Sequence, residues 1–427
     1  MKQNFKNKKL LILSVVLAVV IAVVSVFSIV AYNSSETVLQ HKMHEDYEYF
    51  WDFMNENYAL WGVLERGGFD KEENKEKYSY AIAACDNYDD FYKYVMMPLS
   101  VEFAKIAKHT TILNNDAYQL FYSMYSTTKI DYSNEIQELF TDEQWEIMNN
   151  QQKYLLKVLS SSSFYKKPNL KKDEENHTVA AEDTHGNVEG RILEDNVGYV
   201  KISSMQFGDN EMKYLEDQLV AMSKLSNIII DIRGNGGGSD AYWLPILFYL
   251  NGETLEYSNK KVYNASEYNQ KYYDISKKGL EPIQKEKLGE NFLIQDLKYV
   301  DKMNTDTNTI EPNVDLYTGF DGDVWLLVDD GVFSSGDSCA YTMKATGFAT
   351  LVGESTGGDR AGDALNLFSL PNSGLIFRYS SGFTLNDDGS NNAEFGTAPD
   401  ITIKEGDDAL EVCLELIDKR KANILRG

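Results

Sequence analysis

A strand, a polar turn and a helix follow one another between Val324 and Gly347, and this succession constrains the fold more than any other stretch of the sequence. It begins with the apolar run VWLLV, which predicts a buried strand. After the turn DDG, Ser334 and Ser335 precede a segment in which apolar residues recur at helical spacing, and a glycine commonly ends such a helix. The pattern predicts a β/α unit in which a serine hydroxyl and the free N–H groups of the helix start face the same crevice.

A second stretch pairs with the first. Residues 227–232 (NIIIDI) predict another buried strand, and the loop RGNGGGSD follows it. Three consecutive glycines let backbone N–H groups approach a ligand closely, so the loop is a candidate for one half of an oxyanion hole. An N–H beside Ser334 would supply the other half. A tight turn that requires positive φ is the alternative explanation of the glycines.

Four segments between Asn196 and Asp418 together resemble the S41 serine peptidases, which include the tail-specific or C-terminal-processing proteases and their tricorn-core relatives. The resemblance implies a Clp-protease/crotonase-like β/α core within an α/β fold, and hydrolysis of peptide bonds through an acyl-enzyme. The segments are VGYVKI at 197–202, IDIRGNGGG at 230–238, FSSGDSCAYTMKATGFATLVGESTGG at 333–358 and EFGTAPD at 394–400.

Ser334 is the candidate nucleophile, because the family's serine leads the small and acidic run that opens the helix, here Ser-Ser-Gly-Asp. With Ser334 as the nucleophile, the N–H of Ser335 is one candidate donor of the oxyanion hole. Gly237 is the candidate for the second donor, with its neighbours Gly236 and Gly238 as alternatives. From its spacing alone, Ser334 is also a typical helix N-cap residue, which is the structural alternative.

A serine nucleophile needs a base, and the lysine that many relatives carry beyond the serine is missing. The corresponding position holds Asp359, and no lysine lies between Lys344 and Lys404. The tricorn-type branch instead uses a histidine from an earlier domain. Among the five histidines, His109 lies at a predicted helix-to-strand junction and is the candidate general base. A partly buried structural histidine is the alternative.

Glu394 matches the late glutamate of the tricorn-like pattern, so the resemblance implies that it orients the histidine, directly or through a hydroxyl. An exposed loop acid is the alternative. The chain departs from that pattern at Lys108, where the tricorn core has a serine. This departure and the missing lysine leave a competing class open, a catalytically inactive peptide-binding protein that keeps the family's cleft.

The N-terminal residues predict a membrane anchor. An apolar run without charge extends from Leu10 to Ala31, which at about 1.5 Å per residue reaches across the roughly 30 Å of a bilayer. Four lysines precede the run, so residues 1–32 are expected to form a cytoplasmic tail and a transmembrane helix, with an extracellular catalytic domain. A cleaved signal peptide is the alternative.

Composition changes suggest the domain organisation. Residues 33–165 are predicted to form a mainly helical domain, because their apolar residues recur at helical spacing. Residues 166–190 are polar and predict a linker or exposed loop. Residues 191–427 are the predicted peptidase core, with a long polar insertion at 252–313 whose length indicates secondary structure of its own.

Charge and cysteine content exclude several functions. The formal net charge of −25 argues against a nucleic-acid partner, which leaves a peptide or protein as the expected substrate. Three cysteines form neither a disulfide framework nor a metal motif. The glycine loop lacks the spacing of nucleotide-binding motifs, so no cofactor and no metal are expected.

Overall fold

The computed structural model of the protein describes residues 37–126, 142–166, 186–193, 197–206, 208–275, 277, 279–360 and 364–424. The predicted anchor, residues 1–32, lies outside these ranges, and so does most of the predicted linker at 166–190. None of the helices within the described ranges combines the length and the apolar character that a membrane span requires.

The N-terminal region is helical, as predicted. Its first helix begins at Thr37, whose hydroxyl accepts a hydrogen bond from the Gln40 N–H while the Gln40 side chain accepts one from the Thr37 N–H. A π-helical turn joins α4 to α5. The elements are α1 (Val38–Asn57), α2 (Trp61–Arg66), α3 (Lys71–Ala81), α4 (Tyr88–Phe91), α5 (Met97–Ala104), β1 (Thr111–Ile112), α6 (Asn115–Ser126) and α7 (Asp142–Ser161).

A six-stranded sheet forms the centre of the second half of the chain. Five of its strands are parallel, and β2 runs antiparallel at one edge. In sheet order the strands are β13 (Ile401–Thr402), β9 (Ala349–Gly353), β8 (Asp323–Val328), β4 (Asn227–Asp231), β3 (Val197–Ile202) and β2 (Val188–Ile192). The inner strands are apolar throughout because both faces of a parallel sheet are covered.

Helices cover both faces of this sheet. One face packs against α8 (Asp209–Met222), α9 (Leu244–Leu250) and α11 (Ser335–Ala345), and the other packs against α13 (Ala409–Ile424). Trp325 on β8 faces the α13 side, whereas Leu326 beside it faces the opposite core. The mixed α/β fold and the N-terminal helical region are therefore confirmed, while the Clp-protease/crotonase-like assignment of the core stays a prediction.

Two antiparallel sheets complete the fold. The first has the order β12 (Gly382–Leu385), β5 (Leu255–Tyr263), β7 (Lys302–Ile310) and β6 (Glu281–Pro282). The predicted insertion contains β5, α10 (Glu267–Ile275), β6 and β7. The second sheet places β11 (Ile376–Ser380) between β1 and β10 (Leu365–Ser369), so a strand of the N-terminal region pairs with a strand from the last quarter of the chain.

An aromatic core attaches the N-terminal helices to these late strands. The ring centroids of Phe53 on α1 and Phe368 on β10 lie 3.8 Å apart, and those of Phe50 and Phe377 lie 4.7 Å apart. Buried Asp46 accepts hydrogen bonds from two backbone N–H groups in the loop between β10 and β11. This docking fixes the short segment between α5 and β1 against the carboxyl edge of the central sheet.

Neighbouring strands β4 and β8 end at that same edge. They pair in parallel register, with Asp231 opposite Leu327. The glycine loop follows β4 and the serine pair follows β8, so the two sequence motifs meet where ligands bind in open α/β sheets.

Candidate active site

Ser334 occupies a strained turn immediately before α11. Its backbone has φ 58° and ψ −120°, a conformation that a residue with a side chain rarely adopts. Its hydroxyl makes no capping hydrogen bond to the helix. The Oγ atom instead lies 3.2 Å from Nε2 of His109. The N-cap alternative is therefore not what the side chain does in this structure.

The segment that carries Ser334 is held from both sides. The Phe333 N–H donates to the carbonyl of Asn235 in the glycine loop, at 3.0 Å. On the opposite flank, the Ser334 N–H donates to the Gly358 carbonyl at 2.9 Å, and the Gly357 N–H donates to the Val332 carbonyl at 2.7 Å. The strained turn is thus stabilised by a hydrogen-bonded neighbour on each side.

His109 is buried in the segment between α5 and β1, with 4% of its surface exposed. The β1–β11 pairing places Arg378 opposite Thr111, and the Arg378 Nε–H donates to the His109 carbonyl at 3.0 Å. The imidazole ring packs on Phe333, with the ring centroids 4.6 Å apart. Backbone and ring are therefore both fixed, which holds Nε2 toward Ser334.

Tyr58, the residue that follows α1, supports the segment that carries His109. Its hydroxyl lies 2.8 Å from Oγ1 of Thr110, the residue after His109. Burial raises the pKa of Tyr58 well above its usual value, and the negative charge of Asp359 acts in the same direction, although the hydrogen bond with Thr110 opposes it. The phenol therefore stays protonated and remains able to donate to Thr110.

Asp359 contacts the other ring nitrogen of His109. Its Oδ2 lies 3.0 Å from Nδ1, and both side chains are buried. Its Oδ1 is buried without a hydrogen-bond partner among the described residues. Asp359 has φ 58°, and Gly358 before it has φ 73°, so the loop turns sharply to bring the carboxylate inward.

Arg360 holds that loop in place. Its guanidinium lies 3.3 Å from Oδ2 of Asp337 on α11 and donates to the Leu385 carbonyl at 3.1 Å. The same group stacks on Tyr341, 3.6 Å from the ring centroid. Both members of the Arg360–Asp337 pair are buried, so this ion pair ties the Asp359 loop to the helix that begins beside Ser334.

Glu394 makes no direct hydrogen bond or ion pair with His109, whose ring nitrogens contact Asp359 and Ser334. Its carboxylate accepts from Nε of Arg66 at 3.0 Å and from Nη2 at 2.6 Å. Arg66 also donates to buried Asp296, at 2.7 and 3.0 Å. The guanidinium neutralises two acids at once, so it holds Glu394 in a structural ion pair that joins α2 to the insertion and to α12 (Asn392–Phe395).

The glycine loop lies directly against the nucleophile segment. A Cβ added at Gly237, where φ is 94°, would lie 2.6 Å from the Phe333 carbonyl oxygen and 2.9 Å from the Ser335 nitrogen. The Gly237 N–H donates to Oδ1 of Asn235 at 2.9 Å. Within the described part of the chain, the N–H groups of Ser335 and Gly238 have no protein acceptor. Among the described residues the predicted donor Gly237 is therefore engaged, whereas the N–H groups of both its neighbours, Gly236 and Gly238, have no protein acceptor.

Asp240 closes the loop against α11. Its Oδ1 accepts from the Ser335 hydroxyl at 2.7 Å and from Trp243 Nε1 at 3.0 Å. Solvent still reaches part of the side chain, but the surrounding protein removes water from the carboxyl group and raises its pKa. The Ser335 hydroxyl is therefore already hydrogen-bonded to Asp240. The backbone N–H is then the polar group of Ser335 that stays available to a ligand beside Ser334.

The structure thus brings together Ser334, His109, Ser335 and the glycine loop, and leaves Glu394 outside. Asp359 is the residue that the sequence reasoning missed. One signal was available: an acid stands where many relatives carry the catalytic lysine. Within the described residues, no group of His, Cys, Asp and Glu side chains is arranged to hold a metal ion.

Comparison with known proteins also indicates a peptidase. The family model of peptidase family S41 matches residues 196–403. A candidate peptidase from Parabacteroides merdae ATCC 43184 is 19% identical with a TM-score of 0.51, over 88% of this chain and 96% of that chain. Mature CPAF, solved in complex with lactacystin, is 12% identical with a TM-score of 0.50, over 91% and 99% of the two chains.

These two structural similarities show a shared fold. No curated protein matches the sequence. The region that the family model covers contains both strand-to-loop motifs and the serine pair. Residues 196–403 are thus similar to peptidase family S41, and the protein is a serine-type hydrolase of that kind.

Proposed function

We propose that the protein hydrolyses peptide bonds with a Ser334–His109–Asp359 triad. The observation that carries this proposal is the unbroken series of two contacts, Ser334 Oγ to His109 Nε2 at 3.2 Å and His109 Nδ1 to Asp359 Oδ2 at 3.0 Å. The three residues come in the chain order His, Ser, Asp, and catalytic triads are recognised by geometry rather than by order.

The carboxylate determines how the imidazole works. A carboxylate beside Nδ1 favours the tautomer in which Nδ1–H donates to Asp359, so the lone pair of Nε2 faces the Ser334 hydroxyl. His109 can then take the hydroxyl proton as Ser334 attacks the scissile carbonyl carbon. The same proton passes to the leaving amine, and a water molecule later releases the acyl group by the reverse sequence.

Backbone N–H groups stabilise the tetrahedral intermediates. The Ser335 N–H, at the start of α11, is one donor that the described residues leave free. The second donor comes from the glycine loop, where the described residues leave the N–H groups of Gly236 and Gly238 free and Gly237 becomes free only if Asn235 releases it. Two such donors aimed at the developing oxyanion supply a large share of catalysis in acyl transfer.

A catalytic role is favoured over peptide binding alone. A serine kept only for structure would bond its hydroxyl to the free N–H groups of the following helix. Ser334 instead carries backbone strain and directs its hydroxyl at an imidazole. Strain of this kind persists where the surroundings enforce it, and it concentrates at active sites.

Single and double variants test the triad. Ser334→Ala and His109→Ala should each lower the turnover of a denatured protein substrate by about 10⁶-fold, and the double variant should lose no more, because the two residues act as one unit. His41→Ala is the matched control, since that side chain is exposed on α1. Turnover by either single variant within tenfold of the wild type would reject the assignment.

We further propose that residues 1–32 retain the protein at the cell membrane with the catalytic domain outside. The support is the sequence alone, an apolar run from Leu10 to Ala31 after four lysines. A protease added to intact cells should then digest the peptidase region. Digestion only after lysis would contradict this topology, and a mature N-terminus near Tyr32 would indicate a cleaved signal peptide.

A further inference from the structure

Lys108 precedes the candidate base and has no role in the triad. Its side chain is exposed, and its ammonium nitrogen lies 4.8 Å from the centroid of the Phe333 ring. The His109 ring packs on that same phenylalanine, so imidazole and ammonium share one aromatic platform. Within the described ranges no carboxylate lies at ion-pair distance from Lys108. Among the described residues, this cation beside the candidate active site therefore has no carboxylate partner.

The position of Lys108 relative to the scissile bond follows from what lies on each side of residues 332–334, the segment that carries Ser334. The glycine loop borders Phe333 on one side, through the Asn235 carbonyl. Lys108 lies on the other side, because a Cβ added at Gly357 would be 2.6 Å from its Nζ. The carbonyl oxygen of a bound peptide is held on the glycine side, so Lys108 is on the side from which the leaving amine departs.

The leaving amine must also meet His109, which returns the proton to it. Residues that follow the scissile bond therefore pass over the imidazole and toward Phe333 and Lys108. An ammonium group is a compact charge with three donors, and its natural partner there is a carboxylate.

We propose that Lys108 binds a carboxylate on the leaving-group side of the substrate, either an acidic side chain just after the scissile bond or a free C-terminus close to it. This rests on the proposed function, since it uses the Ser334–His109 geometry to orient the peptide. The formal net charge of −25 repels anionic peptides from the protein as a whole. Lys108 thus attracts a carboxylate locally, although the negative charge of the whole protein repels anionic peptides.

A cleavage-profiling experiment measures this selectivity without a known substrate. The enzyme digests a mixed library of denatured peptides, prepared once with free and once with amidated C-termini, and mass spectrometry identifies every cut. Wild type is compared with Lys108→Gln, which removes the charge, and with Lys108→Arg, which keeps it. Lys105→Gln is the matched control, because Lys105 is exposed nearby and pairs with Glu102.

For an exposed charge pair at close range we expect about a fivefold preference for cuts that have a carboxylate just after them, seen either as acidic over amide side chains or as free over amidated C-termini. Lys108→Gln should lose the preference, whereas Lys108→Arg and Lys105→Gln should keep it. High salt should weaken it in the wild type. If amidation abolishes the preference, the carboxylate is the C-terminus; if it does not, the carboxylate is a side chain.

Equal profiles for wild type and Lys108→Gln would overturn the proposal. A wild-type enzyme that cuts nothing in the library would instead count against the proposed function. The two failures are therefore distinguishable, since the first requires active enzyme in both samples.

Discussion

Replacing Asp359 by asparagine separates the proposed triad, with Asp359 as its acid, from the one that sequence similarity implies, with Glu394 as its acid. The asparagine side chain is nearly the same size as that of aspartate, so the buried loop that Arg360 holds should keep its fold. An asparagine that presents its NH₂ group to Nδ1 would force that nitrogen to accept, and the N–H would move to Nε2. His109 could then no longer take the proton from Ser334.

The magnitude follows from the contact distance. When His109 becomes an imidazolium, its charge lies 3.0 Å from the Asp359 carboxylate. At an effective dielectric constant of about 20, unit charges at that distance attract by about 5 kcal/mol. Loss of this stabilisation corresponds to about 10⁴-fold in rate, the size that Asp-to-Asn changes produce in other triads.

The assay is kcat/KM on a quenched-fluorescence peptide chosen from the wild-type cleavage profile, with thermal unfolding as the folding control. Asp359→Asn should lose about 10⁴-fold with a native unfolding transition. Glu394→Gln should keep catalysis within about tenfold, because Glu394 contacts Arg66 and not His109, and any loss should track stability. A folded Asp359→Asn enzyme within tenfold of wild type, or a larger loss in Glu394→Gln, would refute the reasoning.

Three further predictions concern the scaffold of the site. Gly237→Ala should lower kcat by about 10²–10³-fold in a folded protein, because the added Cβ would press on the Phe333 carbonyl beside the oxyanion donors; unchanged kcat would assign the glycine to the turn alone. Asp46→Ala should reduce the free energy of unfolding by about 2–4 kcal/mol, since one buried and one partly buried backbone N–H group lose their acceptor, and chemical denaturation measures this loss. Burial raises the pKa of Asp408, but hydrogen bonds from Arg233 and from backbone N–H groups outweigh it and hold that pKa below its usual value. The Arg233–Asp408 pair should therefore stabilise the fold by at most about 1 kcal/mol above pH 4. The difference in the free energy of unfolding between wild type and Asp408→Asn, measured by chemical denaturation, should vanish as the pH falls below 4.

The parts of the fold that sequence predicted are those that local pattern determines. The runs at β4 and β8 are apolar on both faces, which only a covered parallel sheet tolerates, and their turn chemistry is equally local. The helical character of the N-terminal region is likewise set by apolar spacing.

The pairing of β1 with β11 was not predictable in the same way. Thr111 and Arg378 lie far apart in the chain, and two-residue strands carry almost no periodic signal. This pairing nevertheless positions His109, since it brings Arg378 to the His109 carbonyl. Sequence identified the histidine by eliminating others, whereas its placement depends on a tertiary contact.

The third member of the site was missed for a related reason. Glu394 matched a motif, but a motif does not show that Arg66, from the other end of the chain, binds its carboxylate. In the sequence, Asp359 drew attention only because it stands where many relatives carry a lysine. Its inward direction depends on the positive φ of two successive residues and on the buried Arg360–Asp337 pair, and none of these is visible in the sequence.

The most direct test of the central claim is covalent labelling with a fluorophosphonate, followed by mass spectrometry of the modified residue. An activated serine reacts with this probe, whereas a serine that only caps a helix does not. The structure predicts one label on Ser334 in the wild type, and none in Ser334→Ala or His109→Ala. Folded wild-type protein that stays unlabelled, or a label on Ser335 that persists in Ser334→Ala, would contradict the account.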